Sequence, residues 1–268
     1  TMPVKLPRMI HFDITTALRA AFVLLVFPFS CFPQSAEKWI TLPQEQWPTI
    51  ALTNHVYFRN GDRYIHPSFN YAGTAFLIDN GDDTLAVTAK HVLWVARNKK
   101  TNKVQINSDL ARWIMKPKGN SPDSVVVDKL LNEDSTEVLE GVSSTILERD
   151  WLVFSIKSSS PKIQPLKPRY TTVKSGEVVY IIGHPYNGST VQVYESKILR
   201  KLGTDILVEQ LPDKPMSGVS GSPLIDSNGF VIGVFSSAST DAVTGKGVYV
   251  LTSTEYLKDV LNKKRNLN

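Results

Sequence analysis

The stretch that decides the fold is GTAFLIDNGDDTLAVT, residues 73–88. Apolar and β-branched residues fill both of its ends, and Asn80-Gly81 stands between them. This dipeptide is typical of hairpin turns, because both of its positions tolerate positive φ. The stretch therefore predicts an antiparallel hairpin that runs from Gly73–Asp79 through the turn to Thr84–Thr88.

The rest of the chain after residue 36 shows the same rhythm of short apolar runs separated by Gly, Asn, Asp or Pro. A second hairpin is predicted where Ser222–Ile225 leads into Asn228-Gly229 and the chain returns as Phe230–Phe235. Thr252–Glu255 forms a capping-box pattern, and apolar residues at helical spacing follow it. We therefore predict an all-β protein that ends in one C-terminal helix.

A stretch rich in proline and serine, KSSSPKIQPLKPR at residues 157–169, predicts a linker between two β halves. The less regular region from Lys99 to Glu148 is expected to hold strands separated by long surface loops. We predict four parts: an export segment at 1–36, an N-terminal β-barrel at 37–160, a linker at 161–172, and a C-terminal β-barrel with its helix at 173–268.

Composition limits the functional classes. The 268 residues are 42% hydrophobic, which is enough for a folded core. The 30 basic and 25 acidic side chains are scattered, so no nucleic acid partner is expected. The single cysteine, Cys31, excludes an internal disulfide and argues against a catalytic cysteine. No histidines pair at metal-ligand spacing, so we predict no metal and no cofactor.

The N-terminus resembles a targeting segment, because three basic residues between Lys5 and Arg19 precede an apolar run at Ala20–Phe29. That run is too short to span a bilayer comfortably. We predict an exported protein, periplasmic or extracellular. Two outcomes stay open: lipid attachment at Cys31, which would be the only contact with a membrane, or ordinary cleavage near Ala36.

Three segments carry the residues that peptide hydrolysis by a serine needs. Ser220 lies in SGVSGSPL, residues 217–224, where glycines allow a tight turn that could aim the Gly218 and Ser220 N–H groups into one oxyanion hole. His91 follows a predicted strand, at its junction with a turn. Asp150 precedes the apolar run WLVFSI, so its carboxylate is expected to be buried and to need a partner such as an imidazole. Each residue also has an ordinary structural explanation: a Gly-Ser loop, a packed histidine, or an aspartate satisfied by turn amides.

Taken together, these segments resemble those of trypsin-like serine peptidases, particularly bacterial stand-alone members without disulfides or a peptide-binding domain. GTAFLID and LAVTAKHV are similar to the hairpin that leads to the family's Thr-Ala-Ala-His motif, and DWLVFSI to the segment that opens with its Asp. GVSGSPL is similar to its Gly-Asn-Ser-Gly-Gly-Pro-Leu loop, and VIGVFSS to the strand along the substrate cleft. The resemblance covers Gly73 to Leu261 and implies two six-stranded antiparallel β-barrels with a His91, Asp150 and Ser220 triad between them.

The resemblance also implies a substrate-binding surface that contains Lys214, Ser217, Val234 and Ser236. If the loop aligns without gaps, Lys214 lies near the base of the primary specificity pocket, where its charge would favour an acidic side chain. Lys90 stands where the family usually has Ala, and it is expected either to pack around His91 or to point to solvent.

The resemblance implies a monomeric serine endopeptidase with protein or peptide substrates and a backbone oxyanion hole at Gly218 and Ser220. The alternative is a catalytically silent binding module on the same fold. An α/β-hydrolase esterase is disfavoured, because Ser222 takes the last position of Gly-x-Ser-x-Gly and the triad order differs. Only Asn262 to Asn268 follow the terminal helix pattern, so no appended domain is expected there.

Overall fold

The structure is a computed structural model that describes residues 35–59, 70–101, 103–106, 108–139 and 149–265. The predicted export segment, including Cys31, lies outside the described residues except for Ser35 and Ala36. Export and lipid attachment therefore stay predictions. Across the described ranges, no helix is both long enough and apolar enough to cross a membrane.

The described chain is built mainly of short strands. Two 3-10 helices at Lys38–Thr41 and Gln44–Gln46 come first. The first half contains β1 Leu52–Phe58, β2 Thr74–Asp79, β3 Thr84–Thr88, α1 His91–Ala96, β4 Lys103–Val104, β5 Leu110–Lys116, β6 Val125–Leu130, β7 Asp134–Val138 and β8 Leu152–Ser159. The second half contains β9 Val178–Gly183, β10 Gln192–Leu202, β11 Asp205–Glu209, β12 Pro223–Asp226, β13 Val231–Thr240, β14 Gly247–Ser253 and α2 Glu255–Arg265.

Two closed barrels organise these strands. The first has the order β1-β2-β3-β8-β6-β5 and the second β10-β11-β14-β13-β12-β9, and every pairing within them is antiparallel. Strands β4 and β7 form a separate two-stranded sheet. The prediction of an all-β fold with two six-stranded antiparallel barrels and a C-terminal helix is confirmed.

Large apolar side chains fill the first barrel. Phe76, Trp113, Trp151 and Phe154 are buried, and the Trp113 and Phe154 rings lie 5.1 Å apart. Burial of each such side chain contributes about 1.5–3 kcal/mol relative to exposure. Without a disulfide in the described residues, this apolar burial is the main support of the barrel.

The core continues from the first barrel into the second. Ile182, Ile225 and Val231 belong to strands of the second barrel, yet they pack in the same apolar cluster as the first barrel's core. Trp151 Nε1 also donates to Thr252 O at 3.2 Å across the boundary. Residues at the facing edges of the two barrels are therefore held in a fixed relation to each other.

The two predicted hairpins are present, but their turns are longer than the two residues that Asn-Gly favours. Asp79 pairs with Thr84, so four residues separate β2 from β3. Asp79 Oδ1 accepts the Gly81 amide at 2.9 Å, and Asp226 Oδ1 accepts the Asn228 amide at 2.9 Å in the other turn. An aspartate one residue before the first Asn-Gly pair, and one two residues before the second, thus satisfies turn amides and stabilises a wider loop.

The predicted linker is ordered and touches both barrels. Strand β8 continues to Ser159, so the first three residues of the linker composition still belong to the strand. Beyond it, Ile163 bridges to Thr49 in the first half, and Pro168 bridges to Val231 in the second. Contacts on both sides make this segment a strap across the barrels; the domain boundaries themselves stay predictions.

The terminal helix begins later than the capping box indicated. Thr252 is still part of β14, and α2 starts at Glu255. The Thr254 hydroxyl, just ahead of the helix, donates to Arg169 O in the linker and does not cap the helix. A tertiary contact has here replaced the local cap that the sequence pattern predicted.

Candidate active site

His91 opens helix α1, three residues after strand β3 ends. The side chains of Val92, Leu93 and Ala96 are buried, and His91 is buried with them. The sequence predicted only a turn here. The six-residue helix forms because its apolar residues recur at the spacing of one helical face and pack on the first barrel.

Asp150 lies just before strand β8 and is completely buried. Its Oδ2 accepts a hydrogen bond from His91 Nδ1 at 2.7 Å, and its Oδ1 accepts one from the His91 backbone amide at 2.8 Å. The Ser236 hydroxyl also donates to Oδ2. His91 and Ser236 thus satisfy the carboxylate. The two bonds from His91, through its backbone N and its Nδ1, fix the orientation of the ring.

The two groups shift each other's proton affinity. Burial alone would lower the pKa of His91, but the charge and hydrogen bond of Asp150 raise it above its ordinary value of 6.5. Burial alone would raise the pKa of Asp150, but His91 and Ser236 hold it below its ordinary value. The arrangement keeps Asp150 ionised and makes His91 a stronger base than a free histidine.

Ser220 is half-buried in the segment Ser217–Leu224, which we call the serine loop. Gly221 follows it with φ +85°, and a Cβ at this glycine would lie 2.2 Å from Thr74 O and 2.9 Å from Ala89 N. Only glycine allows this approach. It brings the serine loop against the end of β3, two residues before His91.

Hydrogen bonds hold four consecutive carbonyl groups at the start of the serine loop. Two of the donors belong to Thr74, on the first barrel. The bonds run to Ser217 O from Tyr186 N at 2.8 Å, to Gly218 O from Thr74 Oγ1 at 2.9 Å, to Val219 O from Ser222 N at 2.9 Å, and to Ser220 O from Thr74 N at 2.7 Å.

The amides of the same loop behave differently. Val219 N donates to Met216 O at 3.0 Å, and Gly221 N donates to Phe235 O at 2.9 Å. Within the described part of the chain, the amides of Gly218 and Ser220 have no acceptor. Unpaired amides are uncommon in folded proteins, so these two amides, on either side of Val219, are candidates for binding a negatively charged oxygen.

Ser220 and His91 are not joined by a hydrogen bond among the described residues. The structure therefore brings His91 and Asp150 into direct contact and places the serine loop against the adjoining strand end. Hydrogen bonds of catalytic groups are often long without substrate and tighten only in the complex.

The residues predicted to bind substrate occupy different environments. Val234 is completely buried, where it pairs with Pro223 of β12 and packs in the apolar core. Strand β13 is buried through Ser236 and becomes exposed only after it, so the Val234 side chain faces the core and its place on the substrate surface stays a prediction. Ser236 is also buried, and its hydroxyl is engaged by Asp150. Lys214 and Ser217 are exposed on the segment that leads into Ser220.

Lys90 does not point to solvent, which was one of the two expectations for it. Its side chain is fully buried, and its ammonium donates to both oxygens of Glu137 at 3.1 and 2.9 Å. The same nitrogen lies 5.3 Å from the centre of the Tyr256 ring on α2. A buried ion pair thus ties the residue before His91 to β7 and to the terminal helix.

Other polar sites in the described residues are separate from this one. No group of three or more His, Cys, Asp or Glu side chains there is arranged to hold a metal ion. A cavity of about 740 Å³ opens at one end of the second barrel, beside the ion pair of Arg200 and Asp241, and none of the candidate residues lines it. This cavity is therefore separate from the candidate active site, which we define by its hydrogen bonds.

Sequence reasoning missed Thr74 and Tyr186, which hold the carbonyl groups of the serine loop. Their partners lie far along the chain: Thr74 and Gly218 are 144 positions apart in the sequence. The motif GTAFLID marked Thr74 only as a strand residue. No signal within the single sequence could reveal these contacts.

Comparisons with known proteins agree with this geometry. A family model described as trypsin-like peptidase domain matches residues 73–234, which is more than half of the chain. No curated protein sequence matches the chain. The crystal structure of the Rv3671c protease from M. tuberculosis, in its active form, is similar with a TM-score of 0.50 over 86% of this chain and 90% of that chain, at 18% identity. At this identity the similarity supports the fold, whereas the family match covers all three candidate residues. This chain belongs to the trypsin-like peptidase domain family and is a serine-type peptidase.

Proposed function

We propose that the protein is an endopeptidase that cleaves peptide bonds with Ser220 as nucleophile, His91 as general base and acid, and Asp150 as the group that orients His91. The observation that carries this proposal is the buried bond of 2.7 Å between His91 Nδ1 and Asp150 Oδ2. A carboxylate on Nδ1 keeps the proton on that nitrogen and leaves Nε2 as the basic atom.

In the first step, His91 Nε2 takes the Ser220 hydroxyl proton while Oγ bonds to the carbonyl carbon. The carbonyl electron pair moves onto oxygen, which the Gly218 and Ser220 amides stabilise. The C–N bond then breaks, and His91 gives its proton to the leaving nitrogen. Water repeats the sequence on the acyl-enzyme and frees Ser220. Asp150 stays ionised throughout and stabilises the imidazolium.

A second candidate function is a silent binding module, which the missing bond between Ser220 and His91 favours. Two features argue for catalysis instead. The pKa of His91 is raised by Asp150, and the amides of Gly218 and Ser220 have no acceptor in the described structure. A protein that only binds partners has no need for this combination.

Labelling with a fluorophosphonate probe tests the proposal. We expect the purified protein to be labelled, and Ser220→Ala and His91→Ala to abolish the signal. Ser227→Ala is the matched control, because Ser227 is an exposed serine in the turn between β12 and β13. A folded wild-type protein that is not labelled, or a Ser220→Ala protein that is still labelled, would overturn the proposed mechanism.

We extend the proposal to specificity, with a preference for acidic side chains on the N-terminal side of the cleaved bond. Lys214 supports it: its ammonium is exposed, and no ion pair with it occurs among the described residues. Cleavage of a mixed peptide library by the wild type and by Lys214→Gln tests this. A preference for basic or bulky apolar residues in the wild type would end it.

We also propose that the protein is exported, on the basis of the basic residues and apolar run before Cys31. N-terminal analysis of the mature protein from fractionated cells distinguishes the two routes. A lipidated chain that begins at Cys31 indicates a lipoprotein, and a start near Ala36 indicates ordinary cleavage. An uncleaved chain in the cytosol would contradict export.

A further inference from the structure

Thr74 is the first residue of β2 in the first barrel and is completely buried. Its backbone amide donates to Ser220 O at 2.7 Å, and its hydroxyl donates to Gly218 O at 2.9 Å. A single residue of one barrel therefore holds the carbonyl groups of the two residues whose amides form the candidate oxyanion hole on the other.

The Thr74 hydroxyl has a fixed direction. It accepts a hydrogen bond from His184 N at 3.0 Å while its own proton is directed at Gly218 O. A hydroxyl carries one proton, so this pair of contacts leaves it no alternative donor role. The hydroxyl is thus committed to the serine loop.

The Thr74 backbone is held equally firmly from the first barrel's core. Its carbonyl accepts the Thr88 hydroxyl at 2.7 Å and the Asn54 side-chain amide at 3.2 Å. Asn54 is itself buried and accepts Trp113 Nε1 at 2.9 Å. The contacts extend from the barrel core to the serine loop through buried polar groups that are all satisfied.

Gly218 needs such a restraint because it lacks a Cβ and has φ +96°. Glycine has more backbone freedom than any other residue, so the peptide planes on its two sides can rotate at little cost. Tyr186 N fixes the plane before Gly218 through Ser217 O, and the Thr74 hydroxyl fixes the plane after it. A trans peptide directs the C=O of one residue opposite the N–H of the next, so Tyr186 N, through Ser217 O, orients the Gly218 amide. The Ser220 amide belongs to the Val219–Ser220 peptide, and the peptides before and after it are the two whose carbonyls Thr74 holds.

We propose that Thr74 is a positioning residue for the oxyanion hole: its hydroxyl and amide fix the peptides on either side of the Val219–Ser220 peptide, so that the Ser220 amide faces the reacting carbonyl oxygen beside the Gly218 amide. This inference rests on the proposed function and adds a residue of the first barrel to it. It makes the geometry of the hole depend on contact between the barrels. Thr74 does not touch the substrate, so it acts only through the serine loop.

The test compares Thr74→Val, which keeps the shape of the side chain and removes the hydroxyl, with Thr74→Ser, which keeps the hydroxyl. Thr53→Val is the matched control, since Thr53 is a buried threonine of β1 whose hydroxyl donates to Lys116 O. Hydrolysis of p-nitrophenyl acetate is measured, with the Ser220→Ala rate subtracted. Thermal unfolding is recorded for each variant.

We expect Thr74→Val to lower kcat about tenfold to hundredfold with little change in KM, because loosened donors lose part of the stabilisation that a complete oxyanion hole provides. Thr74→Ser and Thr53→Val should stay within about threefold of the wild type. The pH at which activity is half-maximal should not move in Thr74→Val, since the bond between His91 and Asp150 is intact. If Thr74 had only a structural role, Thr74→Val would reduce the amount of folded protein, but kcat per folded molecule would not fall.

Several results would overturn the inference. They are an unchanged kcat in Thr74→Val, an equal loss in Thr74→Ser, or a fall that appears only in KM. If Thr74→Val does not fold, Thr74→Ala against Thr74→Ser isolates the same hydroxyl on smaller side chains, and equal rates there would contradict it. Activity that depends on Ser220 but not on Thr74 defeats this inference alone. Absence of Ser220-dependent activity in the wild type defeats the proposed function and this role with it.

Discussion

The pair of His91 and Asp150 and the serine loop position their functional groups in opposite ways. The pair relies on side chains, with three donors directed at one buried carboxylate. The serine loop relies on its backbone, with four carbonyls held and two amides left without an acceptor in the described chain. The polar groups of the first region are paired with each other, whereas the second keeps two amides that the proposed mechanism assigns to the substrate's carbonyl oxygen.

The largest expected effect comes from a substitution in the pair of His91 and Asp150. Asp150→Asn places an amide where the carboxylate oxygen accepts His91 Nδ1, which favours the wrong tautomer of the imidazole. We expect kcat to fall about 10⁴-fold. Steady-state hydrolysis of a peptide or ester substrate measures this, and Asp128→Asn, an exposed carboxylate of β6, is the control. A loss of less than about tenfold would show that Asp150 does not orient His91.

A substitution in the serine loop should lower activity less. A Cβ at Gly218 would lie 2.7 Å from His184 O and 2.8 Å from Tyr186 N, so Gly218→Ala displaces one donor of the hole. We expect kcat to fall about 100-fold to 1000-fold, as for loss of one oxyanion donor. Gly176→Ala controls for backbone strain, since Gly176 has φ +85° and no described atom within 4 Å of a Cβ. Equal activity losses in both variants would contradict the role of the Gly218 amide.

The pH dependence of activity separates the two regions, because His91 titrates near neutral pH and the backbone amides of the serine loop do not. His91 is active as a base when it is neutral, and Asp150 raises its pKa above the ordinary 6.5. Activity should therefore rise with pH through a midpoint above 6.5. The pH profile of kcat/KM measures this midpoint. A midpoint below 6.5 would mean that burial outweighs the carboxylate.

The smallest effect on catalysis is expected at Lys90, the buried residue just before His91. Lys90→Met leaves Glu137 buried without its partner, so we expect the free energy of unfolding to fall by about 3–5 kcal/mol. The double variant Lys90→Met, Glu137→Leu should recover most of the lost free energy of unfolding, because neither charge is then left buried alone. Urea unfolding of the single and double variants measures this, and kcat per folded molecule should stay within about threefold of the wild type. Additive losses in the double variant would contradict a coupled pair.

The sequence predicted the fold well because the signals for it are local. Alternating apolar runs and Asn-Gly pairs mark the hairpins, and both hairpins are present. Their turn lengths were not predicted, because Asp79 and Asp226 bind turn amides and favour a wider loop. The start of α2 was misplaced for a similar reason, since the Thr254 hydroxyl binds the linker and not the helix.

The candidate site was predicted less completely, because its support is not local. Motifs identified His91, Asp150 and Ser220, and the structure joins the first two directly. The contacts of Thr74 with the serine loop and the pairing of Lys90 with Glu137 cross long distances in sequence, so spacing cannot reveal them. Val234 was assigned to the substrate surface because a family strand was carried over as a whole, and spacing did not show that its side chain is buried.

The most direct test of the account is a crystal structure of the protein after reaction with a fluorophosphonate. The account predicts a covalent bond from Ser220 Oγ to phosphorus, and a phosphonyl oxygen at about 2.7–3.1 Å from both the Gly218 and Ser220 amide nitrogens. It also predicts that Thr74 still holds the carbonyls of these two residues. An adduct on another residue, or a phosphonyl oxygen that contacts neither amide, would contradict it.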